Sequence, residues 1–142
     1  MRGSIGVAER LHRLDFRDAH SFVLHHSIQV PCSGVDHMDF SADGRYAYAS
    51  CEFSGQMIEV DLRTQRVIAT WTLPAPASPD MGGVSVNGRT LWLSGRYNAE
   101  VYAISTRTGR LLHRIPVGDG PHGMCVWPQP GRYSLGHTGI MR

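Results

Sequence analysis

Lysine is absent from this chain: all fourteen basic residues are arginine, set against twelve acidic ones. The coding bias of a GC-rich gene accounts for such a replacement. The alternative, an arginine surface for nucleic acid, requires clustering. Here the arginines are scattered through turns and strand ends, so a nucleic-acid stripe is excluded and no nucleic-acid partner is expected. Long apolar runs are missing too, and no segment reaches the roughly 20 residues that a membrane-spanning helix needs. Met1–Val7 has no apolar centre before Glu9 and Arg10, so it does not read as a signal peptide. On this ground the chain is expected to be cytoplasmic or a piece of a longer exported protein. Cysteine is scarce. Cys32, Cys51 and Cys125 show no C-x-x-C spacing, which removes zinc knuckles and dithiol redox motifs. Catalytic signatures are also lacking: there is no G-x-S-x-G, H-E-x-x-H, Walker or G-x-G-x-x-G pattern. Gly118-Asp119-Gly120 falls in a turn between strands rather than ahead of a helix, and no helix is expected anywhere, so helix-terminus anion sites are absent as well.

What the chain does contain is a gap-free internal repeat. A shift of 44 positions lays Ser41–Thr70 over Ser85–Arg114. Gly44-Arg45 falls on Gly88-Arg89, Ser50 on Ser94, Arg63-Thr64 on Arg107-Thr108, and Arg66 on Arg110. The apolar positions follow, with Tyr48 on Trp92, Met57 on Val101 and Val60 on Ile104. A third partial copy begins at Gly131-Arg132-Tyr133. A period in the low forties, filled with short strands and turns, is the signature of β-propeller blades. The expected fold class is therefore all-β, built from blades of four antiparallel strands.

Within the first full unit, Val35–Phe40 is followed by the turn Ser41-Ala42-Asp43-Gly44. Arg45–Cys51 then alternates, with Tyr46, Tyr48 and Ser50 on one side and Ala47 and Ala49 on the other. Gln56–Asp61 and Arg66–Leu73 complete four strands. The second unit repeats the plan near 83–86, 90–95, 100–105 and 110–117, and its Asn87-Gly88 is the strongest hairpin signal in the chain. Pro74–Pro79 forms a stiff surface connection between the two. Residues 1–9 read as a lead. Residues 10–30 read as the second half of a blade, because Leu14-Asp15-Phe16-Arg17 matches Val60-Asp61-Leu62-Arg63. The blades span 34–73 and 82–117, and 121–142 is the first half of another, with strands at Gly123–Trp127 and Arg132–His137. The total is about three blades' worth, fewer than the roughly four to eight of a closed ring. Two arrangements cover the open faces: a homodimer in which half-blades pair between chains, or a chain that is a fragment or shortened form.

At Asp43-Gly44 … Tyr48-Ala49-Ser50-Cys51 … Met57-Ile58-Glu59-Val60-Asp61, and again at Asn87-Gly88 … Trp92-Leu93-Ser94-Gly95 … Val101-Tyr102-Ala103-Ile104-Ser105, the chain resembles the YVTN-type β-propeller repeat family. The family's signature asparagine is replaced here by Cys51 and Gly95. The resemblance covers residues 10–142 and concerns fold rather than chemistry. It implies a bacterial, periplasmic or extracellular setting and relatives with rings of around seven blades.

In such a fold the loops entering the first strand and leaving the second share one face. That face collects Asp36, His37, Glu52, Phe53, Asp80, Arg96, Tyr97, Asn98, His122 and His137. Imidazoles, carboxylates, an arginine and aromatics at a loop-built rim suit a small-molecule, glycan or protein ligand. Taken singly, each has a plainer role: Pro121-His122-Gly123 is a turn into an inner strand, Asp36-His37 a loop hydrogen-bonding pair, and His25-His26 exposed residues of an outer strand. Cys32 and Cys51 fall on this same face, as a disulfide or as two free thiols. Cys125, with Val126 and Trp127, reads as a small buried residue. Two function classes follow. The first is a non-catalytic binding or scaffold module with no cofactor. The alternative is a metal- or cofactor-dependent oxidoreductase-like fragment with His37, His122 and His137 as ligands.

Overall fold

The structure, a computed structural model, describes residues 3–128. Among them are eleven strands and no α-helix. Gly3–Ala8 (β1), Arg13–Asp18 (β2) and Leu24–Gln29 (β3) form a three-stranded antiparallel sheet. Val35–Phe40 (β4), Tyr46–Cys51 (β5), Gln56–Asp61 (β6) and Arg66–Thr72 (β7) form the middle blade. Pro79–Val84 (β8), Thr90–Gly95 (β9), Glu100–Ser105 (β10) and Leu111–Pro116 (β11) form the C-terminal blade. Each blade runs in sequence order from its inner to its outer strand, the meander of a propeller.

The turns explain why the repeat folds twice in the same way. In the middle blade Ser41 Oγ donates to Asp43 Oδ1 at 2.6 Å, and the amides of Arg45 and Tyr46 donate to Asp43 Oδ1 and Ser41 Oγ. Ser85 and Asn87 do the same in the C-terminal blade, with Ser85 Oγ on Asn87 Oδ1 at 2.7 Å. Gly44 and Gly88 both sit at positive φ, near 68° and 69°, where a side chain would be strained.

Alternation along β5 divides the core in two. Ala47, Ala49 and Cys51 face the N-terminal sheet and pack with Leu14, Phe16, Val30, Val35, Met38, Ile58 and Val60. Tyr48 faces the other way, with Met57, Trp71, Leu73, Val84, Leu91, Leu93, Tyr102 and Ile104. The middle blade is thus packed on both faces, and each buried aliphatic side chain contributes about 1.5–3 kcal/mol.

The ends differ from expectation. Residues 1–9 are not a plain lead, because Gly3–Ala8 pairs with β2 along its whole length, from Gly3 opposite Asp18 to Ala8 opposite Arg13. A 3-10 turn at Glu9–Leu11 joins the two strands. The first sheet therefore has three strands rather than two. The inner strand of the C-terminal blade runs over Pro79–Val84 rather than near 83–86, so the connection is shorter than Pro74–Pro79. Arg114 anchors that connection by donating to the carbonyls of Pro74 and Pro76 while pairing with Glu100 at 2.7 Å. At the other end Gly123–Trp127 forms no strand. It lies along the C-terminal blade, with the Gly123 amide donating to Ser94 Oγ at 3.2 Å and Val126 against Gly83. Cys125 in this stretch is exposed rather than buried. The strand expected at Arg132–His137, and His137 with it, lie outside the described residues.

Candidate functional site

The site begins with an irregularity that the repeat writes twice. In β4 the pairing with β5 slips between Val35 and Met38, and in β8 the pairing with β9 slips between Pro79 and Gly82. Each slip is a bulge, which frees two residues from the ladder and re-aims their side chains. The residues freed are Asp36-His37 in one blade and Asp80-Met81 in the next, 44 positions apart. A serine from the neighbouring strand holds each bulge. The His37 amide donates to Ser50 Oγ at 3.1 Å, and the Ser50 hydroxyl donates back to the His37 carbonyl at 3.3 Å. Ser94 does the same for Met81, at 3.3 and 3.0 Å. The Ser50–Ser94 match was visible in the repeat, but only as a marker of its period. The role of the hydroxyls depends on the bulge, which no residue pattern announces.

The bulges bring Asp36 and Asp80 face to face. Asp80 is fully buried, and its carboxyl meets that of Asp36, with which it can bond only by sharing a proton. Burial first, then the neighbouring carboxyls of Asp36 and Glu52, push its pKa up to about 7, and His122 opposes the shift. His122 Nε2 lies 3.8 Å from Asp80 Oδ2, with its ring half exposed. Glu52, just past the end of β5, is also buried, and desolvation raises its pKa while Arg96 lowers it. Arg96 Nη1 stands 3.9 Å from Glu52 Oε1, too far for a hydrogen bond.

The residues that follow Glu52 and Arg96 in the chain form a second pair. Phe53 and Tyr97 occupy equivalent positions in adjacent blades, and their rings stack with centroids 6.5 Å apart and planes 25° apart. Both remain exposed, at 61% and 63%. The Arg96 guanidinium lies 5.6 Å from the centre of the Tyr97 ring. Asp36, Glu52, Phe53, Asp80, Arg96, Tyr97 and His122 thus belong to one constellation.

The other expected residues lie apart. His37 is buried in the bulge rather than in a loop, with Nε2 3.8 Å from Asp39 Oδ2. Asp39 was not anticipated. Burial alone lifts its pKa to about 7, and the Gly83 that replaces it one repeat later gave no sign of a role. Asn98 is committed to the fold, its Oδ1 accepting from Ser78 Oγ at 2.7 Å and Tyr102 Oη at 3.2 Å. His25 and His26 lie exposed on β3, His26 stacked on Phe16. Cys32 and Cys51 are joined by a disulfide, with Cα atoms 5.9 Å apart. Among the described residues no group of three or more His, Cys, Asp or Glu side chains is arranged to hold a metal ion. No helix among them is long and apolar enough to cross a membrane.

No protein-family model matches the sequence, and no curated protein matches it. Solved structures do match the fold. Hydrazine synthase from Kuenenia stuttgartiensis is 24% identical over 71% of this chain and 28% of its own, with a TM-score of 0.62. A functionally unknown protein from Desulfotomaculum acetoxidans DSM 771 is 12% identical over 83% of this chain and 38% of its own, with a TM-score of 0.72. U3-55K is 15% identical over 87% of this chain and 39% of its own, with a TM-score of 0.71. The WD40 repeats of RRP9 match equally well, at a TM-score of 0.71. At these identities the likeness is one of fold: the chain is built of β-propeller blades. It spans well under half the length of each of these structures.

Proposed function

We propose that this chain is a non-catalytic binding module of the propeller type, which takes its ligand on the face shared by the bulges and the Phe53–Tyr97 pair. One observation carries the reading. Two large aromatic rings from equivalent positions of adjacent blades are stacked on each other yet left in solvent, each next in the chain to a charged residue of the cluster, Glu52 and Arg96. Exposed aromatics next to polar anchors are characteristic of recognition surfaces. The blade architecture supports a scaffold that presents loops, and the YVTN-type repeat pattern supports an exported setting in which the Cys32–Cys51 bridge persists. A glycan or a peptide suits such a ledge.

The test is an oligosaccharide array and a peptide array probed with the full chain and with the Phe53→Ala/Tyr97→Ala double variant. Both rings are exposed, so folding should change by no more than about 0.5 kcal/mol per site. Ligands retained by the parent chain should be lost from the variant. A parent chain that retains nothing on either array, or a variant that keeps the same ligands, overturns the reading.

A further inference from the structure

We infer that the carboxyl cluster of Asp36, Glu52 and Asp80 is the seat for an organic cation, an alkylammonium or guanidinium group carried by the ligand. The inference rests on the binding face proposed above and names the chemistry of what that face takes. A completely buried carboxyl that faces another carboxyl is rare in a folded chain, because the two can replace lost hydration only by sharing a proton. Asp80 is such a group, and what stands opposite it is the carboxyl of Asp36. Glu52 Oε1 is a buried oxygen without a hydrogen-bond partner on the same cluster. Three carboxyls meet one arginine and one histidine, and neither of these side chains comes within hydrogen-bond distance of them. Asp36 and Asp80 together share one proton, so the cluster keeps negative charge, and Glu52 Oε1 keeps acceptor capacity, that neither Arg96 nor His122 meets with a hydrogen bond.

The surroundings select an organic cation over a metal ion. No metal-holding group exists among the described residues, whereas Glu52 and Arg96 are each followed in the chain by a ring of the stacked Phe53–Tyr97 pair. Ring faces attract alkylammonium and guanidinium groups, and they do so more strongly where water is thinned. Arg96 shows that the place accommodates one: its guanidinium already lies over the Tyr97 ring on the side of Glu52. A ligand cation would add the hydrogen bonds that Arg96, at 3.9 Å, does not make. Access is through Asp36, which is partly exposed, and past the half-exposed ring of His122.

The experiment is a nuclear magnetic resonance titration of the full chain with three probes: acetyl-arginine amide, acetyl-lysine amide and, as the neutral control, acetyl-glutamine amide. One or both cationic probes should bind at least about tenfold more tightly than the glutamine probe, the difference a charged hydrogen bond makes. Which of the two binds better separates guanidinium from ammonium. Asp80→Asn should weaken the cationic probes by about tenfold and leave the glutamine probe unchanged. If Asp80→Asn fails to fold, Glu52→Gln carries the same expectation. Equal binding of all three probes, displacement of the cations by calcium, or full affinity in both variants overturns the inference. If Phe53→Ala/Tyr97→Ala still abolishes array binding while the cationic probes show no preference, the face binds but its charge is not the reason. Loss of the array result itself sinks the broader reading instead.

Discussion

The middle and C-terminal blades share one skeleton but fasten it differently. Both have the Ser-x-Asx-Gly turn and the serine-held bulge at matching positions. In the middle blade the loop that enters the inner strand is tied to the end of the second strand by a covalent bond, Cys32 to Cys51. In the C-terminal blade Gly95 stands where Cys51 would, and Tyr102 lies against it, so that a Cβ there would fall 2.6 Å from the ring. The tyrosine hydroxyl accepts from the Ser78 amide at 3.3 Å and donates to Asn98, which ties the equivalent loop with hydrogen bonds instead. The inner strands differ as well. Met38-Asp39 of β4 becomes Gly82-Gly83 in β8, where the backbone of β9 comes so close that a Cβ on Gly82 would overlap the Trp92 carbonyl. A repeat can thus preserve its turns and bulges while solving the same local problem with a disulfide, a buried phenol, a methionine or nothing at all.

Four comparisons sharpen this contrast. The largest effect belongs to Gly82→Ala, which has to push β8 away from β9. A loss of about 4 kcal/mol or more is expected, against about 2–4 kcal/mol for Met38→Ala at the equivalent place, where only a cavity is left. Chemical denaturation of the two variants decides it, and similar losses would mean that the glycine is not needed for close approach. Next comes the covalent tie. Cys32→Ser or Cys51→Ser opens a link across a sequence separation of 19 and should cost about 3 kcal/mol. Thiol titration of the unreduced chain should find Cys125 alone, and three reactive thiols there would rule the bridge out.

Asp39 gives the third comparison, since glycine takes its place in the other blade. Burial raises its folded-state pKa to about 7 from 3.8, with His37 the group that faces it. The folded chain then keeps a proton that the unfolded chain has released, so stability falls as the pH rises from about 4 to about 7, by at most about 1.4 kcal/mol per pH unit. Asp80, facing Asp36, Glu52 and His122, acts with the same sign. Asp15, Asp18, Asp43 and Asp61 are held low by hydrogen bonds, led by those from Ser27, Ser21, Ser41 and Thr64, and act oppositely once the pH drops below about 4. Melting curves at pH 5 and 8 should show Asp39→Asn more stable than the parent at pH 8, by about 2 kcal/mol, with a flatter profile. An unchanged profile would mean that Asp39 is ionised in the folded chain. The smallest effect is that of Tyr102→Phe, about 1 kcal/mol for the hydroxyl that ties the C-terminal loop. A loss as large as that of the disulfide would show the two fastenings to be equivalent.

The fold was legible because hairpin turns are local: Asn87-Gly88 and Asp43-Gly44 state their conformation in two residues, and the shift of 44 multiplied that signal. Gly3–Ala8 carried no such mark. Its strand has two glycines, matches no repeat unit, and owes its conformation to pairing with β2. Gly123–Trp127 erred the other way: its apolar alternation suits a strand, but in the structure it rests on Gly83 and Ser94 without joining a ladder. The site was half legible. Loop positions on a propeller face follow from the repeat alone, which was enough to group Asp36, Asp80, Glu52 and Arg96. Whether a side chain turns to the rim or into the core depends on a bulge, and a bulge is a property of two paired strands. That is why His37 went inward and Asp39 was missed.

The serine hydroxyls of Ser50 and Ser94 grip backbone atoms only. The side chain at the gripped residue is histidine in one blade and methionine in the next, and the bulge is the same. Shape and message are therefore written on separate residues, as a socket is independent of what is plugged into it. A lineage that gains or loses blades of this type inherits the sockets intact and can refit each one separately. Chemistry at the gripped position is then free to drift while the backbone that carries it stays constant.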